Sequence, residues 1–390
     1  MKEALVLGGG SGIGLAICIE LIQKKYDKIY IVDKHKPDEN DIPDEYKLEF
    51  SQHIIFKLVN LVNCNYSFLE NYNDVDTLII TAGFGRVASF DKLTQAEITN
   101  LILVNELAAI KAIKHFYKRI ASNKAFFCGV MCSIAGRVVS PLFSVYAASK
   151  AALCSFIQSV NVELTCQGYN NRILEISPGS IRGTKFSGRP NDLSELKNLA
   201  SAIVDKILLR EILFIPDYEE TYKEVLRKHD ADFMSFGIES YNYKIANGRE
   251  SSTPQCIVGY LSGTFDLFHI GHLNLIRRAK DRCDYLIVGV HKSAARKGKE
   301  AFIPFEERKE IISGIRYVDQ TVDACDEDTE AYEIYKYDIL FVGSDYKGTE
   351  RFDNYERYFL DKKVEIVYFP YTKTTNSTQI RSYITKNIQG

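Results

Sequence analysis

The sequence predicts an α/β protein built from two doubly wound domains, each a parallel sheet with helices on both faces, the second domain smaller than the first. Three observations carry this. The chain has 390 residues, beyond the size at which one hydrophobic core usually keeps growing. Short apolar runs alternate with amphipathic stretches, the pattern of a strand followed by a crossover helix. The alternation stops once, in a polar stretch, and then restarts.

Taken in order, residues 4–7, 29–32, 77–81, 126–133 and 173–177 read as strands with helical patterns between them. From about 236 to 254 the chain is polar and irregular, ending in Asn247-Gly248-Arg249-Glu250-Ser251-Ser252-Thr253-Pro254, and supports neither a helix nor a strand period. The expected division is therefore a first domain over 1–240, a linker over 241–255 and a second domain over 256–390. Past the linker, residues 256–261, 285–290, 339–342 and 364–369 read as the strands of the smaller sheet. No motif of one half recurs in the other, which predicts a fusion of unlike domains instead of a duplication.

Composition narrows the function. Apolar residues at 46% and charged residues at 26% are ordinary for a globular protein. A formal charge of −2 gives no overall attraction to nucleic acid or to an anionic membrane, so any phosphate binding must be local. The first residues run straight into a glycine-rich turn with no room for a signal peptide, and no apolar run approaches a membrane span, so a soluble cytoplasmic protein is expected. The nine cysteines form no Cys-x-x-Cys pair; the nearest two, Cys128 and Cys132, sit in a strand-like run and are expected to be reduced and buried.

Leu7-Gly8-Gly9-Gly10-Ser11-Gly12-Ile13-Gly14 follows the first strand and opens a helix from residue 15 to about 24. Glycines let backbone approach a pyrophosphate, and a helix N-terminus favours its charge, which suits a Rossmann-type dinucleotide loop. Asp33 ends the second strand 19 residues beyond Gly14, where a carboxylate accepts from ribose hydroxyls and repels a 2′-phosphate. NAD(H) is favoured on that ground, although Lys34 and His35 partly offset the repulsion and keep NADP(H) open. Tyr146-Ala147-Ala148-Ser149-Lys150 puts a phenol and an ammonium on one helix face, where the cation favours the phenolate and the tyrosine exchanges a proton with a carbonyl or alcohol oxygen. Ser133, 13 residues earlier at a strand end, is placed to hold the same oxygen.

These residues resemble the short-chain dehydrogenase/reductase family over about 1–235. The family pattern also finds Thr81-Ala82-Gly83, Asn105 and Pro178-Gly179-Ser180-Ile181-Arg182-Gly183-Thr184. The resemblance implies that Asn105 completes a catalytic set with Ser133, Tyr146 and Lys150 through a proton-relay water. It also implies that Gly8, Ser11, Gly12, Ile13, Gly14, Asp33, Ala82, Gly83, Pro178 and Gly179 line the cofactor, and that Ile181 and Thr184 contact the nicotinamide carboxamide. Two departures touch cofactor affinity: the usual Asn-Asn-Ala-Gly reads Thr-Ala-Gly, and the usual adenine-contacting Asp is Asn60. Taken singly, Asn105 also reads as a locally satisfied polar residue inside a helix, and Thr184 as a helix cap.

In the second half, Gly263-Thr264-Phe265-Asp266-Leu267-Phe268-His269-Ile270-Gly271-His272 follows a strand and precedes an amphipathic helix over about 273–282. Two histidines three apart at a helix start present both imidazoles beside free backbone amides, which suits phosphate. Zinc would need two further ligands, and no cysteine pair or histidine-rich stretch lies nearby. The run resembles the cytidylyltransferase family, nearest its glycerol-3-phosphate branch, from about 258 to 381. Further agreement comes from Lys297 and Lys299, Glu306-Glu307-Arg308-Lys309, Ile315-Arg316-Tyr317-Val318-Asp319, Val342-Gly343-Ser344-Asp345 and Asn376-Ser377-Thr378-Gln379-Ile380-Arg381.

This second resemblance implies in-line attack by an alcohol phosphate on the α-phosphorus of CTP, expelling pyrophosphate. His269 and His272 would stabilise the pentavalent phosphorus, with Lys299 and Lys297 on the phosphates and Ser377 and Thr378 on the β- and γ-phosphates. Gly263, Thr264, Phe265, Arg308 and Asp345 would complete the nucleotide site. Asp266 would organise the loop or hold the Mg2+ that accompanies CTP. Tyr371 and Asn376 depart from the family's arginine and serine, with Lys373 a substitute. Structural readings stay open for Arg316, pairing with Asp319, and for Asp345, capping a turn.

Together the two resemblances imply consecutive steps: a ketose phosphate reduced to an alditol phosphate, then joined to CTP as a CDP-alditol for a capsule or teichoic-acid type of polymer. Two alternatives stand beside this, catalytically unlinked activities and a transferase regulated by a dinucleotide-sensing domain. The expected partners are small molecules, with no nucleic acid and no membrane insertion, and the expected state is a homodimer or homotetramer.

Overall fold

A computed structural model describes residues 2–184, 186, 191–251, 256–293, 300–370, 379–381 and 383. The chain divides into two compact units, Met1–Gln255 and Cys256–Gly390.

The first unit is a seven-stranded sheet in the order β3-β2-β1-β4-β5-β6-β7, every pairing parallel. The strands are β1 Glu3–Leu7, β2 Lys28–Asp33, β3 Ile54–Leu58, β4 Thr77–Ile80, β5 Phe127–Met131, β6 Ile173–Ile176 and β7 Leu213–Phe214. The helices are α1 Gly12–Gln23, α2 Lys47–His53, α3 Gln95–Ile102, α4 Ala108–Ile120, α5 Ser144–Cys166, α6 Leu193–Leu208, α7 Lys223–Ala231 and α8 Phe233–Ala246. Central strands carry near-continuous apolar runs because both of their faces are covered. Leu5, Leu7, Leu78 and Val130 face Ile113, Phe116 and Ile157 of α4 and α5. Ala4, Val6, Ile79 and Leu174 face α1 and α6 through Leu15, Ile203 and Ile207. Chain direction reverses in strand order between β1 and β4, so the loops after these two strands open the crevice where ligands bind in such sheets.

Helix α8 overturns the expected irregular stretch from 236. Asp232 caps it, accepting from the Met234 and Ser235 amides at 3.0 Å each. The helical period was hidden because Gly237 is its only buried residue, while Phe233, Met234, Ile238 and Ile245 face outward. Lys244 of α8 donates to Ser140 Oγ at 2.9 Å and to the Pro141 carbonyl at 2.7 Å. Beyond α8 the chain is fastened to the unit it leaves: the Ser251 amide donates to the Val87 carbonyl at 2.8 Å, and Arg86 donates back to the Ser251 carbonyl at 2.9 Å. Arg86 is also buried in a two-pronged pair with Glu97.

The second unit is a five-stranded parallel sheet in the order β10-β9-β8-β11-β12. Its strands are β8 Val258–Gly263, β9 Tyr285–Val290, β10 Gln320–Asp323, β11 Ile339–Gly343 and β12 Glu365–Phe369. Its helices are α9 Ile270–Lys280, α10 Phe305–Ser313, α11 Asp328–Tyr335 and α12 Glu350–Phe359. One face of the sheet packs Leu261, Leu286, Val288 and Phe341 against Ile276 and Ile312. Tyr260 instead stacks on Tyr337 with ring centroids 5.0 Å apart. Here the strand order reverses between β8 and β11.

Three strands carried no marked pattern: β3, β7 and β10. All lie at or beside sheet edges, where burial is partial and the apolar run dissolves. All nine cysteines are free thiols, six of them buried. Among the described residues no helix is long and apolar enough to cross a membrane.

Candidate active sites

The first site forms where the loops after β1, β4, β5 and β6 meet. Gly8 has φ +95°, and a Cβ there would stand 2.3 Å from the Ala82 amide nitrogen, so β1 and β4 approach too closely for any side chain. A Cβ on Gly14 would meet the Gly8 carbonyl at 2.2 Å, which keeps the start of α1 tight against the loop. Gly12 has φ +52°. Ser11, the N-cap of α1, makes no side-chain cap, so the first-turn amides of Gly12, Ile13 and Gly14 face the crevice without a side-chain acceptor. That cradle fits a pyrophosphate. Asp33 closes its rim, accepting from the Gly10 amide at 2.9 Å and the His35 amide at 3.1 Å.

Tyr146 and Lys150 lie one turn apart on α5, and both are buried. Burial pushes the Tyr146 phenol up to about 12, although a hydrogen bond with Ser133 pulls the other way. Burial also lowers the pKa of Lys150, whose ammonium donates to the Met131 carbonyl at 2.8 Å and lies 5.8 Å from the Tyr146 ring centroid. Ser133 ends β5 in extended backbone, its Oγ accepting from the Ala135 amide at 3.1 Å. Asn105 sits in a π-helical turn, Leu103–Leu107, that joins α3 to α4. Such insertions re-aim a side chain and concentrate at functional sites. Its amide grips both polar atoms of the Phe84 backbone, at 3.0 and 2.9 Å, and donates to Ser149 Oγ at 3.3 Å. Gly83 holds the gap between them open: a Cβ there would lie 3.2 Å from Asn105 Oδ1 and 3.4 Å from Lys150 Nζ.

The Pro178-Gly179 turn abuts this group, since the Ile134 amide donates to the Pro178 carbonyl at 2.9 Å. Thr184 Oγ1 donates to the Ile181 carbonyl at 3.4 Å and lies against Gly12, which places the turn beside the cradle.

The second site is the switch point of the smaller sheet. Phe265 and Leu267 take left-handed φ values of +52° and +48°, which curl the loop after β8 back toward α9. His269 is the N-cap of α9, and its Nδ1 accepts from the Gly271 amide at 3.0 Å. His272 Nδ1 accepts from the His269 amide at 3.4 Å, and the two rings stack 4.0 Å apart. Acceptance at Nδ1 fixes the proton of each neutral ring on Nε2, so each imidazole is set as a donor. Burial lowers the pKa of His269 and favours that neutral form.

The short chain dehydrogenase family matches residues 2–192, and the cytidylyltransferase-like family matches residues 260–388. Glycerol-3-phosphate cytidylyltransferase of Bacillus subtilis is 36% identical over 126 residues, which are 31% of this chain and 92% of that protein. The Staphylococcus aureus enzyme of the same name is 33% identical over 126 residues, 30% of this chain and 88% of its own. The chain is a short-chain dehydrogenase joined to a cytidylyltransferase. A solved short-chain dehydrogenase from Streptomyces avermitilis, 18% identical, covers 64% of this chain and 99% of its own, with a TM-score of 0.49.

Within the dehydrogenase unit the structure brings Asn105, Ser133, Tyr146 and Lys150 to one place and gathers the glycines around the crevice. Asn60, standing where the family's adenine-contacting acid falls, turns its Oδ1 onto the Val62 amide at 3.0 Å. In the transferase unit two assignments change. Arg308, expected in the nucleotide site, is buried and donates to the carbonyls of Ile303, Thr264, His291 and Lys292, so it braces three loops around the site. Asp266, a candidate metal ligand, has both oxygens engaged: Oδ1 accepts the Phe302 and Ile303 amides at 3.0 Å each, and Oδ2 takes Arg381. Burial alone would raise its pKa, but those amides and the guanidinium more than offset it and hold the carboxylate ionised. This geometry fits a loop organiser and not a ligand for Mg2+.

Arg316 does not pair with Asp319. It donates to Tyr317 Oη, while Asp319 takes the buried Lys280 at 2.5 Å. Gly263 lies against the Phe265 ring, Thr264 offers its carbonyl to Arg308, and Asp345 is exposed at the end of β11. Lys297, Lys299, Ser377 and Thr378 lie outside the described residues. Two aromatic residues went unmarked in the sequence: Phe143 stacks on Tyr146 at 4.1 Å between centroids, and Phe186 leans on it at 5.5 Å. Phe143 was visible beforehand as a large apolar residue just ahead of Tyr146, whereas Phe186 had no signal of its own.

Proposed function

We propose that the dehydrogenase unit reduces a ketose phosphate to an alditol phosphate with NADH or NADPH, and that the transferase unit joins the product to CTP, giving a CDP-alditol and pyrophosphate. The observation that carries this reading is a buried Tyr146 one helical turn from Lys150 on the same chain as two histidines whose Nδ1 atoms accept backbone amides at a helix start. The first group makes an alcohol. The second suits attack by a phosphate at a phosphorus centre.

In the reductase step the nicotinamide, when bound, supplies a hydride to the carbonyl carbon. Tyr146 gives its phenolic proton to the carbonyl oxygen, and Ser133 holds that oxygen and the phenol in register. The Lys150 ammonium stabilises the phenolate left behind, and the gap at Gly83 between Lys150 and Asn105 leaves room for a proton to return. The Gly8–Gly14 loop and the Pro178-Gly179 turn, with Ile181 and Thr184, would hold the dinucleotide. The Asp33 carboxylate favours the form without a 2′-phosphate.

In the transferase step the alditol phosphate oxygen bonds to the α-phosphorus as the bond to pyrophosphate breaks. His269 and His272 donate to oxygens whose charge grows in the pentavalent state. Lys297, Lys299, Ser377 and Thr378 would grip the phosphates, with Mg2+ carried on the triphosphate and not on Asp266. Glycerol is the polyol in the names of the similar transferases, a pentitol is the other candidate, and a surface polysaccharide or teichoic-acid type of polymer is the proposed destination. The enzyme would act in the cytoplasm, as a homodimer or homotetramer.

The test is Tyr146→Phe. Loss of a general acid costs about 10²- to 10⁴-fold in rate, so reduction should fall by that much while CTP-dependent pyrophosphate release from an alditol phosphate is unchanged. Loss of both activities would contradict separate sites, and undiminished reduction would remove Tyr146 from the chemistry.

A further inference from the structure

Tyr222 belongs to no motif. It closes a π-helical turn, Tyr218–Tyr222, that follows β7 and begins after Asp217 in the left-handed region at φ 55°. The turn delivers the Tyr222 ring to the Pro178-Gly179-Ser180 segment. A Cβ on Gly179 would fall 1.4 Å from the Tyr222 oxygen, so this hydroxyl takes the space that a side chain at 179 would fill. Glycine at 179 is thus required by a neighbour.

Burial raises the Tyr222 pKa, more than the nearby Ser180 backbone amide lowers it, so the group is a neutral phenol. Among the described residues no acceptor takes its hydrogen. Through the Pro178 carbonyl, which accepts the Ile134 amide at 2.9 Å, the same segment is one residue removed from Ser133. A half-buried phenol whose hydrogen no described residue accepts therefore stands against the Pro178-Gly179-Ser180 segment, which borders Ser133 through Ile134.

We propose that Tyr222 is a specificity-determining residue of the reductase, its hydroxyl donating to an oxygen of a hydroxylated substrate chain bound beside Ser133. This rests on the reading of the unit as a ketose phosphate reductase and sharpens it: the donor selects substrates that carry an oxygen beyond the carbonyl. A site built to hydrogen-bond a substrate oxygen discriminates strongly against analogues lacking it.

The experiment is steady-state kinetics of the full chain with Tyr222→Phe, Gly179→Ala and the pair Gly179→Ala/Tyr222→Phe. Each is assayed on a ketose phosphate, the free ketose and a hydroxyl-free ketone of similar size. Tyr222→Phe removes only the oxygen and keeps the ring, so folding is preserved, and thermal unfolding checks it. The expected result is a KM about tenfold higher for the hydroxylated substrates, the effect of one lost neutral hydrogen bond, with kcat, cofactor affinity and the hydroxyl-free ketone unaffected. Gly179→Ala should displace the phenol and raise that KM at least as much, with little further loss when Tyr222→Phe is added; because Gly179 belongs to the turn that would hold the dinucleotide, its cofactor KM should rise as well, and unchanged kcat and cofactor affinity are read on Tyr222→Phe alone.

An unchanged KM for hydroxylated substrates, or an equal rise for the hydroxyl-free ketone, overturns the proposal. If the wild type reduces another hydroxylated carbonyl but no ketose phosphate, the reading of the unit falls while the Tyr222 assignment is decided on that substrate. If the wild type reduces only hydroxyl-free ketones, both fall.

Discussion

His269 and His272 owe their geometry to where a helix begins. Each Nδ1 accepts a backbone amide of the first turn of α9, so the ring proton resides on Nε2 and faces away from the backbone. Protonating His269 would put a second hydrogen against the Gly271 amide and break the cap. Burial lowers its pKa, so the neutral form persists to lower pH than a free imidazole, whose value is about 6.5. Transferase kcat/KM should therefore hold steady from about pH 8 down to about 6.5 and fall only below that. A fall that begins above pH 7 would contradict a depressed histidine. At this scale the spacings of Tyr146 with Lys150 and of His269 with His272 were legible because one helical turn sets each of them. The Asp266–Arg381 pair was not, because it joins residues 115 apart through the tertiary fold. Arg308 misled for a related reason: a cation in a nucleotide motif reads the same whether its donors meet phosphates or carbonyls.

At the scale of elements, the glycine-rich loop is a matter of clearance between β1 and β4. Gly8→Ala would force an L-residue to φ +95° and drive a methyl to 2.3 Å from the Ala82 amide, so one strand end must move. Strained backbone of this kind costs about 1–3 kcal/mol before the clash is counted. The expected outcome is a lower unfolding midpoint for the dehydrogenase unit together with loss of dinucleotide binding, read by calorimetry and by cofactor fluorescence. Retention of both would show that the crevice is not shaped by this contact. The central strands were readable because burial on both faces writes a continuous apolar run. Strands β3, β7 and β10 lie at or near edges and write none, and α8 hides its helical period by burying a single glycine.

At the scale of the molecule, two sheets with separate hydrophobic clusters give two folding units. The stretch that follows α8 stays hydrogen-bonded to the first unit through Arg86 and Ser251. Each unit should respond to its own ligand. A ligand at 100 times its Kd stabilises its host by about 2.7 kcal/mol, so NADH or NADPH should raise one unfolding transition and CTP the other. A single transition raised by either ligand would contradict independent units. The fusion of unlike domains was legible from chain length and from two unrelated motifs. What the sequence could not contain is the identity of the proposed intermediate between the two chemistries, because the substrate pockets are assembled from loops distant in the chain.

That intermediate is the central claim, and one measurement reaches it most directly. Purified full-length protein is given a panel of ketose phosphates with NADH or NADPH and CTP, and cofactor oxidation, pyrophosphate release and the nucleotide product are followed together. The account predicts that one ketose phosphate supports all three in equal amounts, with pyrophosphate appearing only when reduced cofactor is present. Oxidation of cofactor by a substrate whose product is never joined to CTP, for every ketose phosphate tested, would contradict it.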